Sequence, residues 1–313
     1  PRELRSPDQF ASRLVVASAP HSRMTDVGVA RNAPPCLALD IGATKVEAAL
    51  VDADGTLRSR SRINDADHHE DLFAAIVELS RRVMAEGPVE VVGVGSAGPM
   101  TRGGEEVSPL NIPQWRSFPL RRKLRDALGL EVYIDGDARA LALAEGAYGA
   151  ARHDHSYLSM VVSTGVGGGL VIDGELLDGD SSNAGHIGHL NVVPNGNLCS
   201  CGAFGCLEAE ASGWAIESLT GRSPAEADAA TRVRTADLVG RAVGTLASVL
   251  DFNRCYIAGS VALGFGDEFF DVANKSARTM ARLPYSEHLE IGRSELGADG
   301  PLLGAALVAW RRS

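Results

Sequence analysis

No apolar run seen in the 313-residue chain approaches the roughly 18 residues needed to cross a bilayer, and LLGAALVAW near the C-terminus is too short. LVVA inside ASRLVVASAP also falls below the roughly 7–15 apolar residues of a signal-peptide core. Positive charge is scarce: 30 Lys and Arg face 40 Asp and Glu, a formal net charge of −10. That balance argues against a protein that coats nucleic acid or an anionic membrane. Cysteine is scarce as well, and five in this length make no disulfide scaffold. These shortages point to a cytoplasmic protein without a membrane or nucleic-acid partner.

What remains is the composition of a folded soluble chain, 45% hydrophobic and 22% charged, long enough for two lobes with cores of their own. Residues 1–35 carry no sustained period and end in NAPP, so they read as a disordered leader, with Met24 a candidate natural start. Order begins at CLALDIGATKVEAALVDADGTL: an apolar run, a Gly-centred turn, a second apolar run, then a hairpin turn at Asp-Ala-Asp-Gly. Helical spacing covers 69–86, and a buried-type strand follows at 89–95. Helices are expected over 119–128 and 137–150, with the short strand EVYI between them.

The pattern then restarts. SYLSMVVSTGVGGGLVIDG is again strand, Gly-rich turn, strand and Asp-Gly turn, and Asp40-Ile-Gly42 lines up with Ser163-Thr-Gly165. Residues 207–219, 233–252 and 260–282 read as helical, RCYIAGS as a strand, and 301–312 as a closing helix. Alternating strands and helices with added hairpins predict an α/β protein with mixed sheets.

Both glycine turns follow a strand and lead into another. Such turns let the backbone approach a phosphate and aim several N–H groups at it. Thr44 or Thr164 can add a hydroxyl, and Asp40 can hold a hydrated magnesium ion. Neither turn is a P-loop, which needs Gly-Lys-Ser/Thr, and Leu170 stands where the dinucleotide fingerprint needs its last glycine. Either turn alone reads equally well as an ordinary hairpin. Two alike at the starts of matched lobes favour a phosphate clamp between the lobes.

Cys36 and Cys255 sit in apolar, strand-like runs. His189, Cys199, Cys201 and Cys206 lie in one short, Gly- and Asn-rich stretch, GHLNVVPNGNLCSCGAFGC. One imidazole and three thiolates can close a tetrahedral zinc site, and with all four positions filled by protein the zinc is structural. The plainer alternative is a set of buried free thiols beside an ordinary histidine. Asp135 and Asp137 flank Gly136. By position alone either can simply cap the helix that begins there.

Taken together, these residues resemble the ROK family of sugar kinases and sugar-responsive repressors, within the actin/hexokinase-like superfamily. The resemblance runs from about residue 36 to the C-terminus. It rests chiefly on GHIGHLNVVPNGNLCSCGAFGCLEAEASG, supported by LALDIGATK, STGVGGG and GADGPLLGAA. It implies a two-lobed actin/hexokinase-like (ribonuclease H-like) ATPase fold with a structural zinc loop. An N-terminal lobe would span 36–137, completed by a C-terminal helix at about 299–313. A C-terminal lobe would span 138–298 and carry the zinc loop 189–206. It also implies ATP, magnesium, a sugar substrate and a homodimer.

Matched position by position, DIGATK resembles the first phosphate loop, contributing Asp40, Gly42, Thr44 and Lys45. STGVGGG resembles the second, with Thr164 and Gly165 facing the phosphates, and AGSV brings Gly259 to the adenosine. Asp137 aligns with the family's general base, which takes the proton of a sugar 6-hydroxyl. Gly98, Asn111, His186, His189 and Glu208 match sugar-contacting positions. Three departures stand out. Gly136 replaces the usual Asn before the base, Arg139 replaces a frequent Asn, and His186 occupies a position that is Glu in many glucokinases. The resulting GHIGH resembles bacterial N-acetylmannosamine kinases. The expected activity is phosphorylation of a hexose or N-acetylhexosamine. The alternative is a catalytically impaired sugar-binding protein or a sugar-responsive regulator. A repressor would need a winged-helix domain of roughly 60 residues ahead of the first strand.

Overall fold

The computed structural model describes residues 33–42, 44–64 and 71–312. The expected leader lies outside them apart from residues 33–35, as do Met24, residue 43 in the first glycine turn, and the start of the helix expected from residue 69. Two five-stranded sheets are built to one plan. The first has β1 (Cys36–Ile41), β2 (Lys45–Val51), β3 (Leu57–Asn64), β4 (Val91–Ser96) and β5 (Glu131–Gly136), in the order β3-β2-β1-β4-β5. The second has β6 (Tyr157–Val162), β7 (Val166–Ile172), β8 (Glu175–Leu176), β9 (Arg254–Ala258) and β10 (Glu290–Arg293), in the order β10-β9-β6-β7-β8. Each sheet joins a three-stranded antiparallel meander to two parallel strands. The expected α/β class with mixed sheets is therefore what forms.

Strand pairing refines the internal repeat. Ile41–Val46 closes the first hairpin and Val162–Val166 the second. Asp40, one residue before Ile41, therefore corresponds to Val161 rather than to Ser163. The first turn is also one residue longer, so aligning the glycines shifts the strands; an acidic residue stands near the end of β1 and none in β6.

Alternation along β1 sorts its side chains by size. Leu37, Leu39 and Ile41 face a core made with α1 (Leu72–Met84) and α2 (Leu120–Leu128), whereas Cys36 and Ala38 face inward between the sheets. In the second sheet Leu158, Met160 and Val162 face α6 (Ala229–Leu250) and α8 (Asp267–Met280), while Tyr157 faces inward. The inner layer holds α3 (Asp137–Ala147) and α9 (Gly300–Trp310). α3 follows the last strand of the first sheet yet packs on β6 and β7; α9 follows the last strand of the second yet packs on β1 and β4. Small residues let the two helices meet. A Cβ on Gly304 would stand 2.4 Å from the backbone of Ala140.

Some expected helices divide. The 260–282 stretch forms α7 (Ser260–Gly264) and α8, broken at Gly266, whose φ of 73° lies in the left-handed region. The 207–219 stretch forms α4 (Leu207–Ala211) and α5 (Gly213–Thr220), because the Ser212 side chain caps the second by accepting from Ala215 N at 3.0 Å. Among the described residues no helix is long and apolar enough to cross a membrane.

Candidate active site

The first sheet delivers Asp137 directly. β5 ends at Gly136 and α3 begins at the next residue, so the carboxylate stands at a helix N-terminus, accepting from Ala138 N at 2.7 Å. Asp137 retains solvent access, yet protein surrounds it closely enough that lost hydration raises its pKa above the usual carboxylate range. The charge of Glu208 adds to that rise, while the Ala138 N–H and a positive His186 oppose it. Asp40, near the end of β1, is 8% exposed. Burial first, and then the negative charge of Asp137, push its pKa up to about 7. Asp40, Asp137, His186 and Glu208 thus share one electrostatic neighbourhood between the sheets.

The second turn closes the other wall. Glu208, in the first turn of α4, accepts from Val166 N at 3.0 Å, and a Cβ on Gly165 would stand 2.9 Å from its Oε2. The carbonyls of Ser163 and Thr164 accept from Gly213 N and Trp214 N, and Ser163 Oγ lies 3.0 Å from Ser260 Oγ. Gly259 sits beside this turn with φ 103°, so close that a Cβ there would lie 2.3 Å from the Val162 carbonyl oxygen. From the opposite side comes Gly98, where a Cβ would stand 3.0 Å from His186 Nε2. Burial lowers the His186 pKa, chiefly, with the nearby His189 charge acting the same way. The loop bearing His186 is tied across the cleft by Asn183, whose side chain donates to Met100 O at 2.7 Å and accepts from Met100 N at 3.0 Å.

Three further candidates make no side-chain hydrogen bond to these groups among the described residues, although the Lys45 charge acts on Asp40. Lys45 pairs with the buried Glu47 at 2.6 Å, which Arg60 also holds at 2.9 Å. Thr44 is exposed at the turn. Asn111 is exposed on the segment between β4 and α2 and makes no side-chain hydrogen bond among the described residues.

His189, Cys199, Cys201 and Cys206 do converge: their donor atoms lie within 4.8 Å of one another. Cys199 Sγ is 3.6 Å from His189 Nδ1, and Cys201 Sγ is 3.7 Å from Cys206 Sγ. Tetrahedral zinc, with bonds of about 2.3 Å to sulfur and 2.0–2.1 Å to nitrogen, sets such edges at about 3.6–3.8 Å. The donor set and its spacing fit that ion. The His189 and His186 rings lie 6.0 Å apart, so the cluster anchors the same loop that presents His186.

Two side chains that sequence reasoning passed over, and one it read only as a helix cap, shape the site. Asn183 is one. Glu210, 1% exposed, accepts from Asn197 N at 2.6 Å and pairs with Arg234, fastening the cysteine loop to α6. Asp135 does not cap α3; it is 2% exposed and pairs with Arg139 at 2.6 Å. Its i,i+4 spacing to Arg139 was the available signal.

A family model described as the ROK family matches residues 36–312. The N-acetylmannosamine kinase of Pasteurella multocida is 31% identical over 289 residues, covering 87% of this chain and 95% of that protein. That of Citrobacter koseri is 34% identical over 291 residues, covering 87% and 98%. Among solved structures, the ROK hexokinase of Thermus thermophilus is 33% identical with a TM-score of 0.77, covering 88% of this chain and 98% of that one. The ROK family glucokinase of Streptomyces griseus, solved with glucose and AMPPNP, is 28% identical with a TM-score of 0.79, covering 88% and 99%. These likenesses bear out the two-lobed actin/hexokinase-like fold.

Proposed function

The chain belongs to the ROK family, and from that premise we propose that it transfers the γ-phosphoryl group of ATP to the 6-hydroxyl of a hexose or N-acetylhexosamine, with N-acetylmannosamine foremost. The observation that carries this reading is Asp137, held at a helix N-terminus between the two glycine turns, with His186, Glu208 and Asp40 around it. The relatives at 31–34% identity are named N-acetylmannosamine kinases, and the GHIGH sequence at 185–189 agrees with them.

Asp137 is the general base. It takes the 6-hydroxyl proton as that oxygen attacks the γ-phosphorus in line, and the raised pKa brings its proton affinity nearer to neutral pH. The turns at Gly42–Lys45 and Ser163–Gly165 offer backbone N–H groups to the phosphates, and Gly259 borders the adenosine. Asp40 is the carboxylate available to magnesium, which supplies charge neutralisation at the transferring phosphate. His186, His189 and Glu208 contact sugar hydroxyls, with Gly98 and Asn111 completing the sugar side. His189, Cys199, Cys201 and Cys206 would hold a structural zinc ion, which would fix the loop. Catalysis of this kind depends on positioning and electrostatics more than on covalent steps.

A coupled ADP-release assay over glucose, mannose, N-acetylmannosamine and N-acetylglucosamine tests the reading, with NMR of the product to locate the phosphate. Sugar-dependent ADP release, greatest with N-acetylmannosamine, is expected. Absence of turnover with every hexose and N-acetylhexosamine contradicts it.

A further inference from the structure

Arg139 lies one turn into α3, buried, where an unpaired guanidinium would be costly. It is not unpaired. Nε and Nη2 reach Asp135 at 2.6 and 3.4 Å, Nη2 also meets Asp178 at 2.5 Å, and Nη1 donates to Leu177 O and Ala184 O at 2.5 and 3.0 Å. These partners belong to different parts of the molecule. Asp135 lies one residue before the end of β5 in the first sheet and is also held by Arg312, just after α9, at 3.1 Å. Leu177, Asp178 and Ala184 lie on the loop that leaves the second sheet after β8 and leads to His186. One side chain therefore joins the first sheet, the base of α3 and the segment presenting His186.

Gly136 belongs to the same arrangement. Its φ of −59° and ψ of 137° are open to any residue, so its lack of a side chain is not a backbone requirement. A Cβ there would stand 3.2 Å from Arg139 Cδ, tight enough that the arginine stem would have to yield. The glycine leaves room for the stem, so Gly136 and Arg139 form one unit.

We propose that Arg139, braced by Asp135 and reaching Asp178 and the carbonyls of Leu177 and Ala184, is a positioning residue that sets His186 against Asp137. The proposal rests on the reading of the cleft as a sugar-kinase site. Loss of the latch loosens the wall that bears His186 and Asn183 and leaves the nucleotide turns in place, so sugar engagement suffers before nucleotide binding does.

The test uses the full chain with Arg139→Asn, Arg139→Lys, Gly136→Asn, the Gly136→Asn/Arg139→Asn pair and Asp178→Asn. Steady-state kinetics gives sugar and ATP KM separately, and hydrogen exchange follows the amides of residues 177–186. Arg139→Asn is expected to raise sugar KM about 10- to 100-fold, as misplacement of about an ångström does, with ATP KM unchanged and faster exchange at 177–186. Arg139→Lys recovers part of that loss, because an ammonium cannot span a forked set of partners. The double variant is less impaired than the sum of its singles, since a side chain added at position 136 no longer has an arginine stem to crowd. If Arg139→Asn fails to fold, Arg139→Lys and the surface change Asp178→Asn decide by the same readouts. Lower thermal stability with unchanged sugar KM and unchanged exchange at 177–186 overturns the proposal. If the unaltered protein turns over no sugar, the kinase reading falls, while the exchange measurement still decides the latch.

Discussion

Asp40 and Asp137 show at the scale of single residues how the cleft stores cost for function. Asp40 in the folded protein holds its proton up to about pH 7, against an ordinary value of 3.8. Below the ordinary value both states are protonated and nothing differs. Between the two values the folded state keeps a proton that the unfolded chain releases, so stability falls as pH rises through this window and levels off above about 7. Asp40→Asn removes that loss. Its melting temperature is expected to exceed that of the unaltered protein by a few degrees at mildly alkaline pH, with the gap closing toward acid pH and magnesium-dependent turnover lost. Equal pH profiles of the two melting temperatures would contradict this account. The candidate residues were legible because they sit in short contiguous motifs. Asn183 and the Arg139–Asp178 contact were not, since their meaning lies in contacts between segments far apart in the chain, with Asn183 reaching Met100 across 83 positions and Arg139 reaching Asp178 across 39.

At the scale of elements, the cysteine loop and the inner helices do the positioning. The four donors of the loop fit one zinc ion, so metal analysis of the purified protein is expected to give about one zinc per chain. Strong chelation should raise sugar KM more than ATP KM, because the loop carries His186 and His189 but not the first glycine turn. A zinc-free preparation with unaltered sugar KM would show that the loop holds itself. Gly304 has a different task, letting α9 close on α3 at Ala140. Gly304→Ala forces two backbones apart and is expected to cost about 1–3 kcal/mol, read from the denaturant midpoint; an unshifted midpoint would contradict the close packing. Periodicity revealed most of the long helices and the buried strands. It missed β10, whose four residues, Glu290–Arg293, carry too little pattern and form a strand only by pairing with β9. It also ran α4 into α5 and α7 into α8, because the short breaks at Ser212 and at Phe265–Gly266 leave the apolar spacing almost uninterrupted.

At the scale of the whole molecule, each sheet is completed by a helix that follows the other. α3 leaves the first sheet to pack on the second, α9 makes the reverse crossing, and both share one small-residue core. Neither half keeps its inner face covered alone. Calorimetry is therefore expected to show one cooperative transition for the two lobes, with calorimetric and van't Hoff enthalpies in agreement; two separated transitions would refute the shared core. The doubled plan was readable from two strand–glycine–strand runs, but the exchange of helices was not, since it is a matter of which surfaces meet. The same crossing places Asp137 between the sheets, and the account stands on what that carboxylate does there. The decisive measurement compares sugar-dependent ADP release by the unaltered protein and by Asp137→Asn, with sugar-induced thermal stabilisation recorded for both. A fall of about 10²–10⁴-fold in turnover with the stabilisation retained is the predicted result, whereas a variant within a few-fold of the unaltered rate would contradict it.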